Sequence, residues 1–138
     1  MENGVCKGFD HLSIVVKDIK KSEKFYDKLL NFFGFEKITS EEDCHGWSNG
    51  PNGFWINQVG DSYKNKDFHR KNVGLNHIAF RAISREVVDK FYREFLLPNK
   101  IPVLYRKPKE YPEYHQGYYA VFFEDPDCIK LELMWMPE

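Results

Sequence analysis

Apolar and polar residues alternate from Phe9 to Val16, with His11, Ser13 and Val15 on one side and Leu12, Ile14 and Val16 on the other. This is the period of a half-buried strand. From Asp18 the period changes. Phe25, Leu29 and Phe32 recur at helical spacing while Lys20, Lys21, Lys24 and Lys28 mostly face water, so the pattern predicts an amphipathic helix. The Asp18 carboxylate can cap its first turn and Gly34 ends it. Glu36 to Ser40 predicts a second strand, Glu41-Glu42-Asp43 a solvated loop, and Trp47 and Phe54 to Val59 two further strands around the turn signal Asn49-Gly50-Pro51-Asn52-Gly53. The order is strand, helix, three strands.

The same order starts again in the second half. His77 to Leu96 (HIAFRAISREVVDKFYREFL) lies over His11 to Leu30 (HLSIVVKDIKKSEKFYDKLL) without a gap, 66 residues further on. In each copy a histidine opens an apolar strand and a Phe-Tyr pair (Phe25-Tyr26, Phe91-Tyr92) follows on the helix. Ser84 takes the capping role of Asp18, Val73 to Ala82 restarts the strand pattern, and Pro98 stops the second helix. A looser echo joins Gly50–Asn57 to Asp125–Glu132 at an offset of 75, which puts nine extra residues between Ile101 and Gly117. That stretch, IPVLYRKPKEYPEYHQG, is rich in Pro, Tyr and charge and reads as an ordered loop at a pocket mouth or as plain surface loop. A single domain over 1–138 is expected, with module 1 over 1–60, a polar linker over 61–72 and module 2 over 73–138. Each module is one supersecondary unit, too small to hide its own sheet face.

Charge narrows the partners. Lys+Arg 20 against Asp+Glu 21 gives a net charge of −1, which leaves no footprint for nucleic acid or an anionic membrane, so a small-molecule substrate is expected. No apolar run approaches the roughly 18 residues that span a bilayer, and the first residues (MENGVCKGFD) lack a basic start with an apolar core. A soluble, cytoplasmic protein is expected. Cys6, Cys44 and Cys128 are odd in number and widely spaced, which favours free thiols over a disulfide framework or a zinc knuckle. Aromatic residues make up 17% of the chain, enough for some to line a cavity as well as fill a core.

The repeat also pairs polar residues: His11 with His77, and Asn57 with Glu132. A lone strand histidine is more often a hydrogen-bonded core residue than a ligand, but His11, His77 and Glu132 on matched strands form a candidate two-histidine, one-carboxylate site. Such a set suits Zn²⁺, Ni²⁺, Mn²⁺, Co²⁺ or Fe²⁺ and leaves positions open for water or substrate. By strand alternation Ser13, Trp47, Trp55 and Phe122 face the same cavity or pack the core. Lys130 and Met134 flank Glu132 on one face, where Lys130 could hold an anionic substrate or snorkel at the sheet edge. Tyr114, His115 and Tyr118, in or after the extra stretch, are candidate acids or bases, whereas His45 and His69 sit in polar segments and read as solvated.

The pieces FDHLSIVVKD with FYDKLLNFFGF, GLNHIAFRA, and YYAVFFEDPDCIKLELMW, in this order on a repeat, resemble the glyoxalase/bleomycin-resistance/dioxygenase superfamily, also called vicinal oxygen chelate proteins. The resemblance implies an α+β fold of two βαβββ modules forming a cupped mixed sheet with helices outside. It implies a divalent metal ion held by His11, His77 and Glu132, with Asn57 at the fourth ligand position, where many glyoxalase I proteins carry glutamate and methylmalonyl-CoA epimerases glutamine. An amide takes no proton at neutral pH, so lactoylglutathione lyase chemistry itself is not expected. Fosfomycin-transferase activity is not expected either, since those relatives continue further beyond the final glutamate. The activity implied is of lyase, isomerase or epimerase type: the metal chelates vicinal oxygens of a small substrate and stabilises an enolate-like anion, with Glu132, His115 and Tyr118 as catalytic residues and Ser13, Trp47, Trp55, Phe122 and Lys130 binding substrate. Two alternatives stand beside it, an extradiol-type Fe(II) dioxygenase on the same three ligands and a non-catalytic binding or resistance protein. A homodimer is implied, with His11 from one chain and His77 and Glu132 from the other. Cys128 stands where relatives have glycine, a position expected to be strained by about 1 kcal/mol.

Overall fold

A computed structural model of the chain describes residues 4–138. It forms two compact units that divide between Lys66 and Asp67, each built on a four-stranded mixed sheet. The first unit runs β1 (His11–Val16), α1 (Ile19–Phe32), β2 (Glu36–Ser40), β3 (Cys44–Ser48) and β4 (Gly53–Gln58). Its sheet order is β1-β4-β3-β2, with β1 parallel to β4 and the other pairs antiparallel. The second unit repeats this as β5 (Ile78–Arg81), α2 (Arg85–Phe91), β6 (Val103–Glu110), β7 (Tyr119–Glu124) and β8 (Lys130–Trp135), in the order β5-β8-β7-β6. The class is α+β, and each half is a βαβββ module.

In β1 the alternation holds: Ile14 and Val16 are buried while His11, Ser13 and Val15 are exposed. Asp18, in extended conformation at φ −131°, accepts from the amides of Lys20 and Lys21 at 3.1 and 3.2 Å, which satisfies donors that the first helical turn leaves free. Gly34 ends the helix region at φ +85°, the left-handed conformation that a side chain disfavours. The buried face of α1 is rotated from the predicted one. Ile19, Ser22, Tyr26, Leu29 and Leu30 are buried, and Phe25 and Phe32 lie at its edge. Truncating Leu29, which is fully buried, to alanine should cost about 2–5 kcal/mol. The Gln58 side chain ties helix to sheet, accepting from the Ile19 amide at 2.9 Å and donating to the Lys17 carbonyl at 2.8 Å.

Three expectations are corrected. His45 is not solvated: it is 6% exposed, with Nδ1 3.2 Å from the Ser40 hydroxyl and Nε2 3.3 Å from a Glu23 oxygen, because α1 folds back over β3. The stretch after Ile101 is not a loop but mostly strand β6, with the turn confined to the residues before β7. Between Leu104 and Lys109 its register against β7 shifts, so that Tyr105 to Pro108 face Val121 alone and Tyr105 takes φ +66°. The restart at Val73 becomes regular only at Ile78, since Gly74 at φ +136° breaks the extended run and His77 stands just ahead of β5.

Candidate functional site

In the second unit β8 alternates between two environments. Leu131 and Leu133 face the helix side with Phe123 and Phe91, whose rings pack at 5.2 Å. Lys130, Glu132 and Met134 take the other face, where the register sets Glu132 opposite Phe122 and beside Ala79. Met134, Tyr111, Ala120 and Phe122 form a buried cluster there. Within it Glu132 is 2% exposed, an uncommon place for a carboxylate. The turn before β8 fixes this placement: Asp125 Oδ1 accepts from the amides of Asp127 and Ile129, both at 2.8 Å.

Two groups meet the Glu132 carboxylate. The Tyr118 hydroxyl donates to Oε1, and His77 Nε2 lies 3.4 Å from Oε2. Burial, and then the bond to Glu132, push the Tyr118 phenol well above its ordinary value, so it keeps its proton across the physiological range. His77 Nδ1 is 2.7 Å from Asn76 Oδ1 and its side chain is 38% exposed, which leaves Nε2 turned toward the carboxylate at an accessible edge.

The first unit repeats half of this arrangement. His11 Nδ1 is 2.7 Å from Asp10 Oδ2, so the residue preceding each repeat histidine holds its Nδ1. A metal-binding imidazole is oriented by such a partner on its second nitrogen, and this pairing at both repeats is the feature that best fits the two histidines to a metal. The one sequence signal for Asp10 and Asn76 is that they stand 66 residues apart like the histidines themselves. His11 lines an open cavity of about 360 Å³ with Asp10, Ser13, Trp55 and Asn57. Among the described residues no three His, Cys, Asp or Glu side chains gather at one point. His77 and Glu132 meet in the second unit, and His11 belongs to the first.

Strand register changes the fourth position. Ser13 pairs with Trp55 just as Ala79, its repeat equivalent, pairs with Glu132. The place of Glu132 in the first unit is therefore held by Trp55, and Asn57 corresponds to Met134. The Asn57 amide nitrogen donates to the Ser13 hydroxyl at 2.7 Å. Trp55 lies across Gly46, where a Cβ would stand 2.5 Å from the indole, and Gly53 leaves room for both Trp55 and His11.

The other candidates fall apart by face. Trp47 is fully buried on the helix side, donating its indole N–H to Asp27 at 3.0 Å, so it belongs to the core and not to the cavity. His115 is exposed in the turn before β7, with Nδ1 2.9 Å from the Gln116 carbonyl, and no hydrogen bond joins it to Glu132. His69 is exposed and accepts from the Lys71 amide. Lys130 does share the Glu132 face. Its ammonium is 4.7 Å from the Phe122 ring centre and donates to the Tyr105 hydroxyl at 2.8 Å.

Comparison with known proteins agrees with this architecture. The model of the Glyoxalase/Bleomycin resistance protein/Dioxygenase superfamily matches residues 8–133. The uncharacterized protein YqjT of Bacillus subtilis (strain 168) is 34% identical over 124 residues, covering 90% of this chain and 95% of that protein. A crystal structure from Bacillus halodurans, named as a candidate glyoxalase, superposes with a TM-score of 0.81 at 34% identity over 94% of this chain and 96% of that one. The genomically encoded fosfomycin resistance protein FosX of Listeria monocytogenes superposes at 0.68 with 25% identity, over 96% of each chain. With two βαβββ modules, and a family match over nearly its whole length, the chain belongs to the Glyoxalase/Bleomycin resistance protein/Dioxygenase superfamily.

Proposed function

We propose that this chain is a divalent-metal-dependent enzyme of lyase, isomerase or epimerase type, acting on a small substrate bound through neighbouring oxygens. The observation that carries the reading is the buried Glu132 carboxylate between Tyr118 and His77, together with Nδ1 of both repeat histidines held by the preceding side chain. His11 and His77, through Nε2, and Glu132, through Oε2, would hold the metal. When bound, such an ion supplies a Lewis acid that polarises a substrate oxygen.

The residues around that set have separate tasks. Tyr118 keeps its proton on the phenol oxygen and fixes Oε1, so Oε2 stays aimed at His77. Its role in this reading is to position the carboxylate, which requires the proton to stay where it is. Ser13 and Asn57, joined by a hydrogen bond, offer polar contacts beside His11, and Trp55 offers an apolar wall. Phe122 and Lys130 bound the Glu132 face, with Lys130 as the cation that meets substrate anions. A homodimer belongs to the same reading and is checked by molecular mass in solution.

The register favours a second reading. With Trp55 in place of a fourth ligand, two histidines and one carboxylate form the set used by non-haem Fe(II) oxygenases, so extradiol cleavage of a catechol is the alternative. One experiment separates the two. The protein is loaded in turn with Zn²⁺, Ni²⁺, Mn²⁺, Co²⁺ or Fe²⁺, then offered 2-oxo acids and 2-hydroxy ketones in D₂O and catechols in air. Metal-dependent deuterium exchange next to a carbonyl, lost in Glu132→Ala, supports the first reading. A yellow ring-cleavage product with Fe²⁺ alone, and no exchange, would replace it with the second.

A further inference from the structure

The extra residues of the second unit build a cavity of about 320 Å³ lined by Tyr105, Arg106, Lys109, Tyr111 and Tyr114. Three properties distinguish it from ordinary surface. No acidic side chain is among its lining residues; of the carboxylates nearby, Glu110 is engaged by Arg85 at 2.5 Å, Glu132 accepts from Tyr118, and Glu113 is exposed to solvent. Its walls are aromatic planes: Tyr111 and Tyr114 stack at 5.4 Å with an interplanar angle of 7°. And Tyr111, 5% exposed, carries a hydroxyl with no hydrogen-bond partner among the described residues.

An unpaired buried hydroxyl costs about 1–3 kcal/mol, so its retention calls for a group that it can bond. The strand itself is shaped to make this place. Four residues, Tyr105 to Pro108, bulge opposite Val121, and Tyr105 is held at φ +66°, a conformation that a bulky residue keeps only where its surroundings enforce it. The bulge sets Tyr105 and Arg106 on the cavity rim. Lys109 lies 4.4 Å from the Tyr111 ring centre, a contact between cation and ring face that leaves its ammonium protons free.

We propose that this cavity binds an aromatic anion, its ring against the tyrosine faces and its carboxylate or phosphate met by Arg106, Lys109 and the Tyr111 hydroxyl. The Tyr111 phenol stays protonated, since burial and then the neighbouring Tyr114 and Glu132 raise its proton affinity. The cavity also touches the candidate metal site through a chain of rings. Tyr114 packs edge-on to Tyr118 at 5.5 Å, and Tyr118 donates to Glu132. On the proposed function, the ligand is the substrate's anionic aromatic end or a product that retains it; the binding itself stands without any metal.

The test uses the full chain stripped with EDTA, so that failure of the metal reading leaves it intact. Benzoate, phenyl phosphate, the neutral isostere benzamide and inorganic phosphate are titrated by calorimetry and by backbone amide NMR. Benzoate or phenyl phosphate is expected to bind and shift the amides of the 105–114 segment, benzamide at least about tenfold more weakly, because the charge-assisted bonds are lost. The stronger of the two anions names the head group. Arg106→Ala with Lys109→Ala should weaken the anion by about tenfold or more and leave benzamide unchanged. Tyr111→Phe, which removes only the hydroxyl, should weaken it as well. Equal binding of benzoate and benzamide, anion binding untouched by the double substitution, or no binding of either aromatic anion would overturn the proposal.

Discussion

Replacing Tyr118 by phenylalanine removes one oxygen and leaves the ring in place. In the wild type that oxygen donates to Glu132 Oε1, and Glu132 is 2% exposed, so water does not replace the lost donor. A hydrogen bond to a charged group is worth about 1.5–3 kcal/mol. Tyr118→Phe should therefore destabilise the fold by about 2 kcal/mol at pH 7. With a urea slope of about 2 kcal/mol per molar, the midpoint should drop by about 1 M at unchanged slope. The pH dependence gives a second check. Because the folded phenol is raised above its unfolded value, its contribution is fully present below pH 10 and is lost as pH rises through the folded value. The difference between wild type and variant should thus be flat from neutral pH to about pH 10 and shrink above it. Metal affinity, measured separately, should fall about 10- to 100-fold, as for other partners that orient a ligand. A midpoint change below about 0.2 M would refute the claim that Tyr118 compensates a buried carboxylate.

Further outcomes follow from individual contacts. Gly46→Ala places a Cβ 2.5 Å from the Trp55 ring, so the indole must leave; a cost of about 1–3 kcal/mol and red-shifted tryptophan fluorescence are expected. Asp125→Ala frees the amides of Asp127 and Ile129 and should lower stability by about 2–3 kcal/mol in denaturant titration. Cys128 holds φ +63°, so Cys128→Gly should leave stability unchanged or raise it by up to about 1 kcal/mol, whereas Cys128→Val should lower it. In spectroscopic titration Tyr111, Tyr118 and Tyr119, the last pushed up to about 12 by burial and its bond to Asp89, should ionise after the exposed tyrosines among the eight; eight indistinguishable phenols would contradict these environments.

What could be read from the sequence was what local chemistry decides. The face of β1, the Asp18 and Ser84 caps and the Gly34 stop each depend on a few neighbouring residues, and each is present. Glu132 enters the sequence reading through the looser echo that ends on Asp125–Glu132 and pairs it with Asn57. That echo does not settle the partner position. The turns before β4 and β8 differ by two residues, and since a strand repeats every two, Trp55 and Asn57 face the same side and alternation cannot choose between them. Only the cross-strand pairing does. The same limit hid His45, which α1 buries through Glu23, more than twenty residues away in sequence. Strand β6 reads as loop in the sequence because a solvent-facing edge carries the same lysines, tyrosine and proline that a loop does. Tyr26, and not Phe25, turned out to anchor α1: one residue is a rotation of about 100°, finer than the spacing of so aromatic a stretch resolves.

The central claim is that His11, His77 and Glu132 form the metal ligand set and Asn57 does not. Metal content by mass spectrometry tests it most directly, on protein purified without a histidine tag and exposed equally to Zn²⁺, Ni²⁺, Mn²⁺, Co²⁺ and Fe²⁺. Near-stoichiometric metal is predicted for the wild type and for Asn57→Ala, with loss in His11→Ala, His77→Ala and Glu132→Ala. A wild type that retains no metal, or an Asn57→Ala protein that loses as much as Glu132→Ala, would contradict it.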